Sequence, residues 1–561
     1  MKVLGKLKIN NVFARMEERP TPAQIYNWRI YTTALLASTA AVLIGYDSGF
    51  VGGTMANQYF LKNFGLDTDT QKGENTISNL ISCFHAAAFF GALFGYPLAH
   101  QWGRRVSLLI VSLVGTVGSA IMLVSLKGSL APMYVGRVLT GLTVGASTNL
   151  TVVYLSEVAP SSIRGQIVAL YEMGWRVGDL VGFWINYGVA EHVRGGNEQW
   201  VIPVAVQIIP AALFFIGSLL LKESPRWLCQ VGREEEALKN LCWLRNLKPG
   251  DEYLEWEFGS MKDAIEEQNR TVGNGLLDPA KEIFLRNTKY FKRLGITCSL
   301  FIFTNFMGIQ ALNYYSVTLF KSLGVKGTNA SLFSSGFFGV AKFVCTLVYV
   351  FLIVDRFGRR IAFLVSSTFC SLFFWYIGAY LKVADPTKPG NDAGPGGKAA
   401  IGFMYLWTCS FIMAWSGGPY VWAAEVYEQN IRTFTQSLNA AVSWLPIFIM
   451  TRVTTNMVNT MHYGIFFFFA CVALLSVPFV YFLVPETKGI PLEEIDRLFV
   501  KGVPARSAHK LVRDQLRRET AEKAEGNSDW PEADEGQKVE VEYVEDRQDD
   551  KEDKFNSELK M

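Results

Sequence analysis

The sequence predicts an all-α membrane protein with twelve transmembrane helices in two six-helix halves, and three observations predict it. Half of the 561 residues are apolar and the mean hydropathy is +0.19, too high for a soluble chain of this length. The apolar residues gather into segments long enough to cross a hydrocarbon core of about 30 Å. These segments form two sets of six, one on each side of a polar stretch at residues 222–292. Helices are the element that suits them, because a helix satisfies its own backbone groups in lipid.

Residues 1–29 form a basic arm that ends in Trp28, an interfacial anchor. The first half, 30–221, holds spans near 30–52, 77–99, 106–126, 132–155, 166–190 and 201–221. Its first apolar run is of full length and has no cleavage site, so it reads as an anchor rather than a signal peptide. The loop 222–292 has mixed charge and helical runs at 234–247 and 254–268, which predict a group of short helices. The second half, 293–484, holds spans near 294–320, 329–354, 361–381, 400–424, 434–457 and 463–484. In the tail, 485–561, a short amphipathic helix at 492–500 precedes a polar, acid-rich composition that predicts disorder.

Basic residues concentrate in the amino-terminal arm, in the central loop and after spans 2, 4 and 8. By the positive-inside rule both termini and the central loop lie in the cytosol. The net charge of +3 sums this basic surface with the acidic tail and says little about partners. The eight cysteines show neither metal-ligand spacing nor a disulfide framework. No nucleophile, metal or phosphate-binding constellation stands out. Neither an enzyme, a cofactor nor a nucleic-acid partner is expected.

Charges inside the spans carry the functional signal. Asp47 lies in Gly45-Tyr46-Asp47-Ser48-Gly49-Phe50-Val51-Gly52-Gly53, in the outer half of span 1. A carboxylate at membrane depth needs a cavity, a cation or a proton; otherwise it sits hydrated at the interface. Arg137 in span 4 is likewise costly without an acid. Span 5 carries Glu172, Arg176 and Asp179 on one helical face, which reads as a self-neutralising trio. Lys342 in span 8 pairs with an unidentified acid or helps to neutralise an anionic substrate. His85 in span 2 suits proton handling, or is a packed, hydrogen-bonded side chain.

The two halves repeat one another. Gly103-Arg104-Arg105 recurs as Gly358-Arg359-Arg360, preceded by Asp355, at an offset of 255. Glu157 lies seven residues before Arg164, and Glu425 lies seven before Arg432, at an offset of 268. Such arginines reach acids at the ends of neighbouring helices and latch the cytosolic side; the plainer reading is ordinary positive-inside anchors. Two homologous halves around a central site are how many secondary transporters alternate their access.

Together with Glu223-Ser224-Pro225-Arg226-Trp227-Leu228 and Pro485-Glu486-Thr487-Lys488-Gly489, these motifs resemble the sugar porter family of the major facilitator superfamily, over about residues 28–499. The segments Arg19-Pro20-Thr21-Pro22, Tyr26 to Tyr31 and Gly182 to Gly188 are similar to its fungal quinate permease branch. The first cytosolic signature reads His100-Gln101 where the family usually has Asp-Arg, which implies a weaker amino-terminal latch.

The resemblance implies proton-coupled import of a monosaccharide or sugar acid, uronate or quinate-like, across the plasma membrane, with the proton as coupling ion and the chain functional as a monomer in the bilayer. Asp47 and Arg137 then form the proton-coupling pair. Arg176, Asn305, Gln310, Asn313, Tyr314, Tyr420 and Trp444 take the place of the family's substrate residues. Arg104, Arg105, Glu157, Arg164, Asp355, Arg359, Arg360, Glu425 and Arg432 form the cytosolic gate. Gly308 lets span 7 bend. The alternatives are a membrane nutrient sensor and a proton-independent sugar uniporter.

Overall fold

The computed structural model describes residues 22–67, 70–273, 275–323, 328–350, 358–384, 386, 394–427, 429–488, 490, 492–499 and 503–525. Among them there is no strand. Asp355, the acidic run near the carboxy terminus and most of the amino-terminal arm lie outside the described residues.

Six long helices make the first half: α1 (Trp28–Met55), α2 (Gln71–Trp102), α3 (Arg104–Met122), α4 (Ala131–Val158), α5 (Arg164–His192) and α6 (Glu198–Leu220). The second half has α7 (Lys289–Ser322), α8 (Thr328–Val348), α9 (Arg359–Ala384), α10 (Gly394–Val426), α11 (Gln429–Met461) and α12 (Gly464–Leu483). Ten of the twelve are apolar enough to cross a membrane by composition alone. The other two, α5 and α11, have the length but carry more polar residues, and α5 holds the Glu172, Arg176 and Asp179 face. Several helices outrun the predicted spans because their polar ends continue the hydrogen-bond ladder beyond the apolar run.

Small residues set the packing of the first half. Glycines recur every fourth residue in α1 (Gly45, Gly49, Gly53) and in α5 (Gly174, Gly178, Gly182). A Cβ on Gly45 would run into the backbone of Trp175 and Asp179, and one on Gly178 into the backbone of Val42 and Tyr46. The two helices therefore touch backbone to backbone, as small residues permit where lipid offers no hydrophobic drive to association. Gly52 makes the same close approach to Tyr314 of α7. Asp47 thus sits on a helix that presses against both α5 and α7.

Two helices of the second half are broken. In α7 a π-turn spans Asn305–Ile309, and Gly308 has φ +105°, a conformation that side-chain-bearing residues rarely adopt. In α10 a π-turn spans Ile412–Ser416 and is followed by Pro419. Around these breaks packs an aromatic core that includes Phe363, Phe374, Trp407, Trp415 and Phe469.

The loop between the halves forms the expected short helices, at Pro225–Gln230, Glu234–Arg245, Glu252–Thr271 and Asp278–Lys281. Beyond α12, Leu492–Phe499 is a 3-10 rather than an α-helix. Where composition predicted disorder, Ala505–Glu525 is an α-helix. Its Ala, Leu, Lys, Arg, Gln and Glu residues are strong helix formers even though they cannot build a core. Residues 510–561 form a separate unit, described only for this helix.

Candidate functional site

Asp47 is fully buried, and so is its partner. The Arg137 Nη1 donates to Asp47 Oδ1 at 2.5 Å, and the two side chains are 1% and 0% exposed. The hydrated interfacial reading of Asp47 does not hold. Arg137 also donates to the carbonyls of Leu80 (3.1 Å) and Ile81 (3.5 Å), and its guanidinium lies 4.5 Å over the Phe84 ring. Gln207 Nε2 donates to the same Asp47 oxygen at 3.1 Å, while Oδ2 of Asp47 has no hydrogen-bond partner. Gln207 was not among the expected residues. It lies between the two segments of α6, where nothing in local spacing marks it as facing α1.

A second charge cluster lies between the halves. Arg176 pairs with Glu172 at 2.6 Å, bonds Ser416 of α10, and has Asp179 at 3.7 Å. Asp179 is ion-paired with Lys342 of α8, and Lys342 Nζ also donates to Asn313 Oδ1 of α7 at 3.0 Å. The acid that Lys342 required is therefore Asp179. The pairing closes over 163 residues of sequence, so no helical spacing could reveal it. Lys342 is fully buried and stands over the rings of Phe183 (4.9 Å) and Phe338 (4.7 Å).

The expected hydroxyl-binding residues line the broken part of α7 and its neighbours. Gln310 Nε2 donates to Asn305 Oδ1 at 2.8 Å, and Asn305 Nδ2 donates to the Ser443 carbonyl at 3.2 Å. Tyr314 bonds His85 Nε2 at 2.8 Å and Ser48 Oγ at 3.3 Å, joining the second half to α1 and α2 of the first. The Nδ1 of His85 lies 3.0 Å from the Ile81 carbonyl, so both ring nitrogens have partners and the packed reading describes it. Trp444 is buried 6.0 Å from the His85 ring, and Tyr420 packs edge-on to Phe301 at 4.7 Å.

At the end of the bundle that carries the repeated motifs, two clusters match bond for bond. In the first, Arg104 pairs with Glu157 at 2.7 Å; the backbone N–H groups of Arg104 and Arg105 donate to Glu223, and Ser224 Oγ donates to Glu157. In the second, Arg359 pairs with Glu425 at 2.8 Å; the N–H groups of Arg359 and Arg360 donate to Glu486, and Thr487 Oγ1 donates to Glu425. The Arg105 and Arg360 side chains bond the carbonyls of Leu219 and Tyr481. The first pair is as short as the second, so His100-Gln101 leaves it intact.

Each cluster ties helices of one half together rather than latching one half to the other. Arg164 forms no ion pair within 4 Å among the described residues, because Arg104 and Ser224 already occupy both oxygens of Glu157. Arg432 turns back to the Tyr427 carbonyl at 3.0 Å. Glu223 and Glu486 were visible in their motifs, but their role as matched acceptors emerges only in three dimensions.

Comparisons with known proteins bear on the family and the fold. The family model described as "Sugar (and other) transporter" matches residues 33–499. A probable quinate permease of Aspergillus fumigatus (strain CBS 144.89 / FGSC A1163 / CEA10) is 46% identical over 510 residues, covering 90% of this chain and 94% of the relative. One from Aspergillus niger (strain ATCC MYA-4892 / CBS 513.88 / FGSC A1513) is 46% identical over 514 residues, covering 91% and 95%. The MFS proton:xylose symporter XylE bound to 6-bromo-6-deoxy-D-glucose superposes with a TM-score of 0.69 at 23% identity, covering 84% of this chain and 99% of that one. An inward open conformation of the xylose transporter XylE from E. coli gives a TM-score of 0.66 at 22% identity over 84% and 99%. This chain belongs to the family described as "Sugar (and other) transporter", and it is a transporter rather than an enzyme.

Proposed function

We propose that the chain imports a small polyhydroxylated acid, a uronate or quinate-like compound, across the plasma membrane together with a proton, by alternating access. The observation that carries the reading is the buried Asp47–Arg137 pair at 2.5 Å. A proton on Asp47 removes the counter-charge of Arg137, whose other contacts are the Leu80 and Ile81 carbonyls and the Phe84 ring. Because α1 meets α5 and α7 through glycines, a change in how α1 is held is transmitted to both. Proton occupancy then biases the equilibrium between the two access states.

Asn305, Gln310, Asn313 and Tyr314 supply amide and phenol partners for hydroxyl groups, and Trp444 and Tyr420 supply flat apolar surface. The matched ion-pair clusters hold each half as a rigid body while the halves rock. The positive-inside distribution supports a cytosolic position for both termini and the central loop, and the working unit proposed is the monomer. The name of the curated relatives favours an acid over a neutral sugar. Uptake of labelled quinate, galacturonate and glucose by a transporter-deficient host tests the proposal. Saturable accumulation of an acid that collapses with a protonophore is the expected result; binding without flux, or preference for glucose, contradicts it.

A further inference from the structure

The coupling proposed above does not use the Asp179–Lys342 pair, yet among the described residues it is the most enclosed ion pair between the halves. Both groups are at most 1% exposed, and they join α5 to α8. Lys342 also holds Asn313, on the same broken helix as the hydroxyl-binding residues. Asp179 is bound through one oxygen only: its Oδ1 has no hydrogen-bond partner, and Arg176 Nη1 waits 3.7 Å from Oδ2. Arg176 itself keeps an unbonded Nε. Asp179 thus has a second cation within reach, and Lys342 has one anion to lose.

We propose that Lys342 is the carboxylate-binding residue of the substrate site, and that an incoming carboxylate takes Lys342 from Asp179, which turns to Arg176. Both groups are buried here, so the exchange belongs to an access state in which the helices around Lys342 have parted. Asp179 stays on its helix and shortens an existing contact, and the substrate replaces one oxygen anion by another at the same ammonium. The groups facing Asp179 allow it: Arg176 and Glu172 on α5, Lys342 from α8, and Asn313 from α7, with the Tyr314 phenol within electrostatic reach. From α1 the uncharged Gly45 and Gly49 press on its backbone. This assignment rests on the acid-import reading above and deepens it.

The exchange also fixes the stoichiometry. Asp47 with Arg137 is neutral, and so is the group of Glu172, Asp179, Arg176 and Lys342. A bound carboxylate adds one negative charge to an interior that tolerates unbalanced charge poorly. A proton on Asp47 cancels it. Acid transport is therefore electroneutral, with one proton for each carboxylate.

The test uses the full-length protein in liposomes, with labelled quinate and galacturonate as acids and methyl quinate and glucose as neutral probes, and records net charge movement beside uptake. Wild type should take up an acid without net current. Lys342→Gln should lower the preference for acid over neutral probe about tenfold or more, the scale of one charge-assisted hydrogen bond. Because Lys342→Gln leaves Asp179 with Arg176 alone, at 3.7 Å, and can impair folding, the double variant Lys342→Gln/Asp179→Asn carries the same expectation. Asp179→Asn alone should lower the KM for acid, since the substrate no longer displaces a competitor. An unchanged acid preference in the Lys342 variants, or net inward current during acid uptake, overturns the inference while leaving acid import standing. Wild-type uptake of neutral probes alone overturns both.

Discussion

Replacing Asp47 by Asn removes the charge from the one buried acid that faces Arg137 and leaves the side chain's shape almost unchanged. Breaking a buried ion pair by removing one partner generally costs about 3–5 kcal/mol, because the remaining charge stays desolvated. Here Arg137 keeps the carbonyls of Leu80 at 3.1 Å and Ile81 at 3.5 Å and the Phe84 ring, and the new amide still offers it an oxygen. The loss of stability should fall at the low end, about 3 kcal/mol, read as a lower midpoint of thermal unfolding in detergent.

The functional loss should be larger than the structural one. Each proton carried down one unit of pH gradient supports about tenfold accumulation, since 1.4 kcal/mol is a factor of ten. Asp47→Asn should bring that ratio to about one while substrate exchange across the membrane continues. Accumulation in a transporter-deficient host, with and without a protonophore, measures the first, and counterflow from preloaded cells measures the second. Concentrative uptake by Asp47→Asn at the wild-type level refutes the coupling role of the pair.

Gly49→Ala should separate α1 from α5, because its Cβ meets the Asp179 backbone; overpacking of this kind costs about 1–3 kcal/mol, and both transport and thermal stability should fall. Tyr314→Phe removes the bonds to His85 and Ser48 that join the halves. It leaves a buried imidazole nitrogen unpaired at about 1–3 kcal/mol and should lower the midpoint of thermal unfolding in detergent. Glu157→Gln and Glu425→Gln should weaken transport to similar degrees, because the two acids make the same bonds in their own halves; paired uptake assays at matched expression decide this.

Particular residues show how much could be read before the fold was known. The twelve helices follow from apolar runs, since membrane depth dictates length and hydropathy together. Asp47 and Arg137 declared themselves because a charge inside an apolar run demands a partner, and the family resemblance implied that they pair. Lys342 declared the same need but not its partner, because pairing between helices depends on how α5 and α8 are rotated. The glycines at 45, 49, 53 and 174, 178, 182 are visible as a four-residue period. Which helix each stripe meets is a property of the assembled half. The gate arginines were found from their repeat, but the repeat could not say that Glu157 and Glu425 bond Arg104 and Arg359 rather than Arg164 and Arg432. The helix at Ala505–Glu525 was hidden for another reason: its composition lacks a core, yet local propensity suffices to form it.

The measurement that bears most directly on proton-coupled acid import is uptake of labelled quinate and galacturonate by the purified protein in liposomes under an imposed pH gradient, acidic outside. With Asp47 coupling the proton to the acid, the acid accumulates above its external concentration, the gradient is consumed in step with uptake, and a protonophore brings the ratio back to one. Equal inside and outside concentrations under the gradient, reached at the same rate with and without the protonophore, contradict it.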